Sequence, residues 1–261
     1  MRNVTWADRD VRACLAAVKR GKPFVYGLTN YVAANLSANV LLAVGAGPAI
    51  GAAPGWPSAF AAGAGAMWIN AAALMSSGPE TLIEAARSAD AAGTPWVLDP
   101  VAMGAGAAAY DDIIRQLLGF HPTVIRGNAS ELIALAGGAG GGKGVETTAG
   151  SDEAIAFITD FAKATGSIIA VSGAVDYVTD GTDILAVPGG DVRLTQVTGA
   201  GCSLGALIAA LLAANETKLI ATCAAHAIYA VAAERAAGAR GMGAFAAALV
   251  DELSLLDGEE K

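Results

Sequence analysis

What most constrains this chain is an alternation along its length: short runs rich in β-branched and aromatic residues are separated by longer, alanine-rich stretches. The runs "FVYGL" (24–28), "AMWIN" (66–70), "PWVLDP" (95–100), "TVIRG" (123–127), "SIIAVSG" (167–173) and "RLTQV" (193–197) read as strands. Residues 31–44, 79–92, 109–118, 129–136 and 151–164 read as helices, several followed by the glycine that favours a helix end. Parallel strands need a crossover connection, and a helix in that connection packs back onto the sheet. The alternation therefore predicts an α/β fold with a mostly parallel central sheet and helices on both faces. "DYVTDGTDILAV" (176–187) departs from it, because Asp180-Gly181 between apolar runs is a hairpin signal and predicts an antiparallel piece at the sheet's later edge. After Gly199 the chain reads as helical to its end.

With 261 residues, 54% of them hydrophobic, the chain can bury a large core, and no linker, repeat or shift in composition divides it. A single domain over residues 1–261 is expected. A net charge of -8 without a lysine or arginine cluster argues against nucleic-acid and anionic-membrane surfaces and leaves small molecules as partners. The longest apolar stretches, near 203–213 and 223–233, are too short to span a bilayer and read as buried helices. Cys14, Cys202 and Cys223 stand far apart without a CxxC pair, and with only His121 and His226 to join them a transition-metal site is not expected. The start "MRNVTWADRD" lacks an apolar signal region, which predicts a reduced, cytoplasmic setting.

Two glycine-rich stretches resemble nucleotide motifs without completing them. In "GGAGGGKGVETT", Gly137, Gly142 and Lys143 match most of a phosphate-binding loop, but Gly144 replaces the hydroxyl that would hold magnesium, and a helix precedes the loop where a strand is required. Gly45-x-Gly47 and Gly199-x-Gly201 lack the third glycine of a dinucleotide fingerprint, with Ile50 and Leu204 in its place. The turn in "QVTGAGCSLGAL" (196–207) is different in kind, because it opens a strongly apolar helix. Backbone amides there can approach an anion, and the helix dipole favours negative charge. Cys202 follows that turn. A helix N-terminus lowers a thiol pKa and makes thiolate available, against the alternative of a small core residue, which is the reading for Cys14 and Cys223.

Asp99 in "VLDPV" falls where an apolar strand ends, the place where ligands gather in open α/β sheets; the alternative is a turn residue before proline. Asn128 and Glu131, three residues apart after another strand, read as a capping pair at a helix start or as oxygen ligands. Arg126 could hold phosphate through its planar fork or form a surface ion pair. Two carboxylates at strand ends beside a glycine turn meet the needs of a magnesium-nucleotide site: oxygen ligands, largely through water, and amides for phosphate.

In the order "GLTNYVAANLSANVLLAVGAGP", "WVLDPVAMGA", "VIRGNASELIALAG", "KGVE", "VSGAVDYVTDGTD" and "VTGAGC", the chain resembles the hydroxyethylthiazole kinases of the ribokinase-like superfamily. The resemblance implies a ribokinase-like three-layer fold without a separate lid domain and MgATP as phosphoryl donor. It also implies 4-methyl-5-(2-hydroxyethyl)thiazole, an alcohol of thiamin salvage, as acceptor, and a homotrimer with sites at subunit interfaces. Carried over by position, Arg126 and Ser172 would contact ATP, the family usually having Thr at the latter. Asp99 and Glu131, with Asn128, would organise magnesium, and Gly199 and Gly201 would form the anion hole. Cys202 would lie beside the acceptor hydroxyl, where the wider superfamily places an aspartate base; Ile50, Asn30 and Gly199 would line the acceptor pocket. Departures gather there: Ile50 replaces a methionine, Ala71, Ala72 and Ala73 stand where the family reads Ile-Gly-Thr, "GAAPGWPSAF" lacks an acidic pair, and "MGAF" (242–245) replaces Pro-Gly-Ser-Phe. They leave open a kinase for another small vitamin-precursor alcohol, or a catalytically weak thiazole- or nucleotide-binding protein.

Overall fold

A computed structural model of the protein describes residues 1–137 and 151–258; the glycine-rich segment with Gly142 and Lys143 lies outside the described residues. The strands are β1 (Arg2–Asn3), β2 (Phe24–Leu28), β3 (Gly47–Ile50), β4 (Ala66–Asn70), β5 (Trp96–Asp99), β6 (Val124–Asn128), β7 (Ile168–Ser172), β8 (Val175–Thr179) and β9 (Ile184–Pro188). They form one sheet in the order β1-β9-β8-β7-β6-β5-β4-β2-β3. β8 runs antiparallel to β7 and β9, as the Asp180-Gly181 turn predicts, and the other neighbours are parallel.

The helices are α1 (Arg9–Gly21), α2 (Ala34–Ala43), α3 (Trp56–Gly63), α4 (Pro79–Ala92), α5 (Ala108–Leu118), α6 (Ala129–Leu135), α7 (Ser151–Thr165), α8 (Ala200–Ala214), α9 (Lys218–Arg235) and α10 (Met242–Leu255). α1, α2, α8, α9 and α10 cover one face, packing on Val25, Trp68, Val97, Val124 and Ala170. α3 to α7 cover the other, over Tyr26, Met67, Ile69, Leu98, Ile125 and Ile169. This is the expected three-layer arrangement. Among the described residues no helix is long and apolar enough to cross a membrane.

One predicted strand is corrected. "RLTQV" lies in a 3-10 turn, Val192–Gln196, because the Asp191 side chain accepts from the Arg193 N–H and the Arg193 guanidinium donates to the carbonyls of Ala237 and Ala239. Local side-chain bonding of this kind competes with pairing into a sheet. Two strands escaped the sequence reading. β1 has only two residues, and β3 carries Pro48 at the sheet's outer edge, where its missing N–H costs little.

The period of two along each strand sets up the site. Asn70, Asp99, Arg126 and Ser172 each lie two residues beyond a core residue of the α8–α9 face, namely Trp68, Val97, Val124 and Ala170, so all four emerge on that face at the carboxyl ends of their strands. Trp68 needs room beneath α8. It pairs in register with Gly27, where an added Cβ would sit 2.0 Å from the indole, and a Cβ on Gly205 of α8 would sit 3.6 Å from its Cδ1. Gly27→Ala should therefore destabilise by about 1–3 kcal/mol through overpacking, seen as a melting temperature several degrees lower by circular dichroism. Gly63→Ala, whose methyl would meet no atom within 4 Å, should leave the melting temperature nearly unchanged.

Candidate active site

The strand ends converge on one buried ion pair. Asp99 Oδ2 accepts from Arg126 Nη1 at 3.0 Å and from Asn70 Nδ2 at 3.2 Å. Arg126 Nη1 also donates to the Gly201 carbonyl at 2.8 Å, and its Nη2 donates to Ser172 Oγ at 2.8 Å. Asp99, Arg126, Ser172 and Gly201, singled out separately in the sequence, thus form one network across β5, β6, β7 and α8. The surface ion pair considered for Arg126 is instead a buried one, with the arginine 7% exposed and the aspartate 1%. Such a pair holds only when further hydrogen bonds satisfy both charges. Burial pushes the Asp99 carboxyl up to about 6, and the adjacent guanidinium opposes that rise, so it stays ionised at neutral pH. Asp99 Oδ1 and Arg126 Nε remain buried without a hydrogen-bond partner.

Above this pair sits the first turn of α8. Gly199 precedes it in the left-handed region, with φ of 86°, and a Cβ there would sit 3.1 Å from Ala33 Cα, so both the dihedral and the close approach call for glycine. Tyr229 of α9 holds the turn: its hydroxyl donates to the Ala200 carbonyl at 3.0 Å and lies 2.8 Å from Ser203 Oγ. N–H groups of a first helical turn lack intrahelical acceptors and carry the positive end of the dipole, which suits an anion. Cys202 is half-buried in this turn. Burial and then the charge of Asp99 push its thiol above the ordinary range, with Arg126 acting the other way. The expectation of a readily formed thiolate is thus corrected, because burial and the charge of Asp99 disfavour it.

Asn128 and Glu131 form the capping pair that their spacing allowed. Asn128 Oδ1 accepts from the Glu131 N–H at 2.9 Å, and Glu131 Oε2 accepts from the Asn128 N–H at 2.9 Å. Glu131 does more than cap, since its Oε1 accepts from the Ala102 N–H at 3.0 Å. It thereby ties down the loop after Asp99, where Ala102 adopts a φ of 61°. The charge of Glu131 also raises the Asp99 pKa, so the two carboxylates share one electrostatic environment. Among the described residues no group of three His, Cys, Asp or Glu side chains could hold a metal ion. The unpartnered Asp99 Oδ1 beside a second carboxylate fits a magnesium ion that keeps its waters and arrives with phosphate oxygens.

A cavity of about 780 Å³ opens beside the network, bounded by Arg126, Ser172 and Gly201 and by Asp176, His226 and Tyr229, which were not read as site residues although the hairpin and the buried helix that carry them were predicted. Strand order places Asn30 and Ile50, after β2 and at the end of β3, on the opposite side of Asp99 from Ser172. Asn30 is buried, and its Oδ1 accepts from the N–H groups of Val32 and Ala33, shaping the turn that meets Gly199. Ile50 is half-buried against the α8-side core, whereas Ala71 and Ala73 pack into the core of the opposite face. Of the residues missed, Asn70 carried the same strand-end signal as Asp99. His226 and Tyr229 carried no local signal, since their partners Asp176 and Ser203 lie 50 and 26 residues away, and Asp176, although it also accepts from Gly173 three residues before it, meets His226 only in the fold.

Comparison with known proteins gives the family and the fold. The sequence profile of the hydroxyethylthiazole kinase family matches residues 15–259. A protein of Burkholderia thailandensis named hydroxyethylthiazole kinase is 69% identical over 257 residues, covering 98% of this chain and 99% of its own. The structure of a hydroxyethylthiazole kinase protein from Pyrococcus horikoshii OT3 superposes with a TM-score of 0.87 at 33% identity, over 96% of this chain and 94% of that one. A ribokinase-like superfamily protein from Enterococcus faecalis V583 shares the fold alone, with a TM-score of 0.64 at 12% identity over 97% and 95% of the two chains. With its family matched along nearly the whole sequence and its fold matched strand for helix, this chain is a kinase with a ribokinase-like fold and belongs to the hydroxyethylthiazole kinase family.

Proposed function

We propose that this kinase transfers the terminal phosphoryl group of ATP to the hydroxyl of 4-methyl-5-(2-hydroxyethyl)thiazole, forming the phosphate ester and ADP. The names of relatives matched over nearly their full length support that acceptor. The observation that carries the reading is the Asp99–Arg126–Ser172–Gly201 network under the α8 turn, with the cavity on one side and the Asn30 and Ile50 end on the other. ATP occupies the cavity, with Arg126 and Ser172 toward its phosphates. The thiazole lies near Asn30, Ile50 and Cys202. The transferring group then sits at the first turn of α8, where Gly199 and Gly201 let backbone amides approach it. The acceptor oxygen bonds to the terminal phosphorus as the bridging oxygen leaves with ADP, the hydroxyl proton passes to a phosphate oxygen and on to solvent, and the α8 amides stabilise charge on the transferring group.

Magnesium, held through water by Asp99 and by Glu131 in the position Asn128 gives it, would neutralise phosphate charge. Cys202, kept as thiol by burial, touches the acceptor hydroxyl and positions it. Tyr31 and Val32 stand 68% and 48% exposed beside Asn30, apolar surface that a neighbouring subunit would cover, which supports a homotrimer with sites at its interfaces. Three free cysteines suit a reducing cytoplasm.

The direct test is incubation with MgATP and a panel of small alcohols, with products read by mass spectrometry. The thiazole phosphate is expected, and its absence beside another phosphorylated alcohol would overturn the acceptor. Light scattering should give a trimeric mass; full activity from a monomer would remove the interface reading. For Cys202 the outcome turns on its proton. A positioning thiol predicts that Cys202→Ser keeps turnover within about tenfold, whereas a general base predicts a loss of about 10²-fold or more, with Cys202→Asp active.

A further inference from the structure

α9 is alanine-rich where it is buried, with Ala224, Ala225, Ala227, Ala232 and Ala233 in the core, and polar residues interrupt it on the side that borders the cavity. Each of those polar residues fastens a different wall. Tyr229 holds the first turn of α8, as described. Glu234 Oε1 accepts from the Gly190 N–H at 3.0 Å, fixing the glycine pair that follows β9. His226, 1% exposed, places its Nδ1 2.7 Å from Asp176 Oδ2 on β8. The other oxygen of Asp176 accepts from the Gly173 N–H at 2.9 Å. Gly173 directly follows Ser172, whose hydroxyl receives Arg126 Nη2.

We propose that Asp176 and His226 are positioning residues for the nucleotide: they lock the Ser172–Ala174 turn that forms one wall of the cavity. The inference rests on the reading of that cavity as the ATP site. A carboxylate on the wall of a polyphosphate pocket repels its ligand unless the charge is engaged elsewhere, and here both oxygens are engaged. Burial pushes the Asp176 carboxyl up, but the hydrogen bond and charge of His226, then the Gly173 N–H, outweigh it and hold the carboxyl below its ordinary value. An ionised carboxylate only accepts, so the proton of that bond belongs to Nδ1, which fixes the ring's orientation. His226 Nε2 is buried with no partner, an arrangement that an apolar side chain would fill at less cost if packing alone were required. A continuous polar path therefore runs from the α9 core through His226, Asp176, the 172–174 turn and Arg126 to Asp99.

The test is steady-state kinetics with MgATP varied, thiazole alcohol saturating, and melting temperature recorded for each variant. Asp176→Ala and His226→Leu should raise KM for MgATP about tenfold, the worth of one charge-assisted hydrogen bond, while kcat at saturating ATP and KM for the alcohol stay within about threefold. His226→Asn, whose amide nitrogen replaces Nδ1, should recover most of the loss; His226→Gln, which replaces Nε2 instead, should not. Recovery by Gln and not by Asn would overturn the proposal in favour of direct contact through Nε2. Equal damage to kcat and both KM values would overturn it in favour of general packing. Thr195→Trp, at the exposed rim of the cavity, separates the two levels of the reading. If it raises KM for MgATP and Asp176→Ala does not, positioning fails alone; if it leaves KM unchanged, the placing of ATP fails and this inference with it.

Discussion

The Asp99–Arg126 pair is the constraint around which the site is arranged. Two charges buried in one place depend on further hydrogen bonds around them, and breaking such a pair costs about 3–5 kcal/mol. Asn70 serves the carboxylate, while Ser172 and the Gly201 carbonyl serve the guanidinium, so β4, β5, β6, β7 and α8 are held to one another at their functional ends. The Gly201 contact also fixes the height of the α8 turn above the sheet. The α8 turn, the proposed seat for phosphate, thus inherits its rigidity from a buried electrostatic bond and not from its own residues, two of which are glycines.

Rigidity on the cavity side comes from a second source. α9 reaches over the cavity and pins the α8 turn, the β7–β8 turn and the Gly189–Gly190 segment through Tyr229, His226 and Glu234. Loops that bind ligands are usually the mobile parts of a structure, and here each is fastened to a helix whose other residues are small enough to pack closely. The acceptor side is built differently, from the Asn30 turn and the half-buried Ile50 at the sheet edge, with apolar side chains left exposed beside it.

Much of this was legible in the sequence where the signal is local. β2 and β4 to β7 are apolar runs with clear ends, and Asp99 and Arg126 were found because they stand near the ends of such runs, whereas Ser172 came from the family resemblance. The Asn128 and Glu131 spacing announced a cap, which the backbone carries out. The failures share a cause: β1 and β3 are too short to show a period, and residues 192–196 alternate like a strand but answer to the side chain of Asp191. The thiol of Cys202 was misjudged because a helix terminus is visible in sequence while desolvation depends on what the fold stacks above and beside it. Partners such as Asp176 with His226, 50 residues apart, become neighbours only through the sheet order.

The indole of Trp68, nested between Gly27 and Gly205, ties the first βα unit to α8 through shape alone. Position 27 admits a side chain only if 68 shrinks, and a smaller residue at 68 leaves a void that 27 or 205 must refill. These three sites therefore change together or stay as they are, so a variant library that samples them one at a time would find each immutable, although a jointly redesigned trio could keep the seat at the same height.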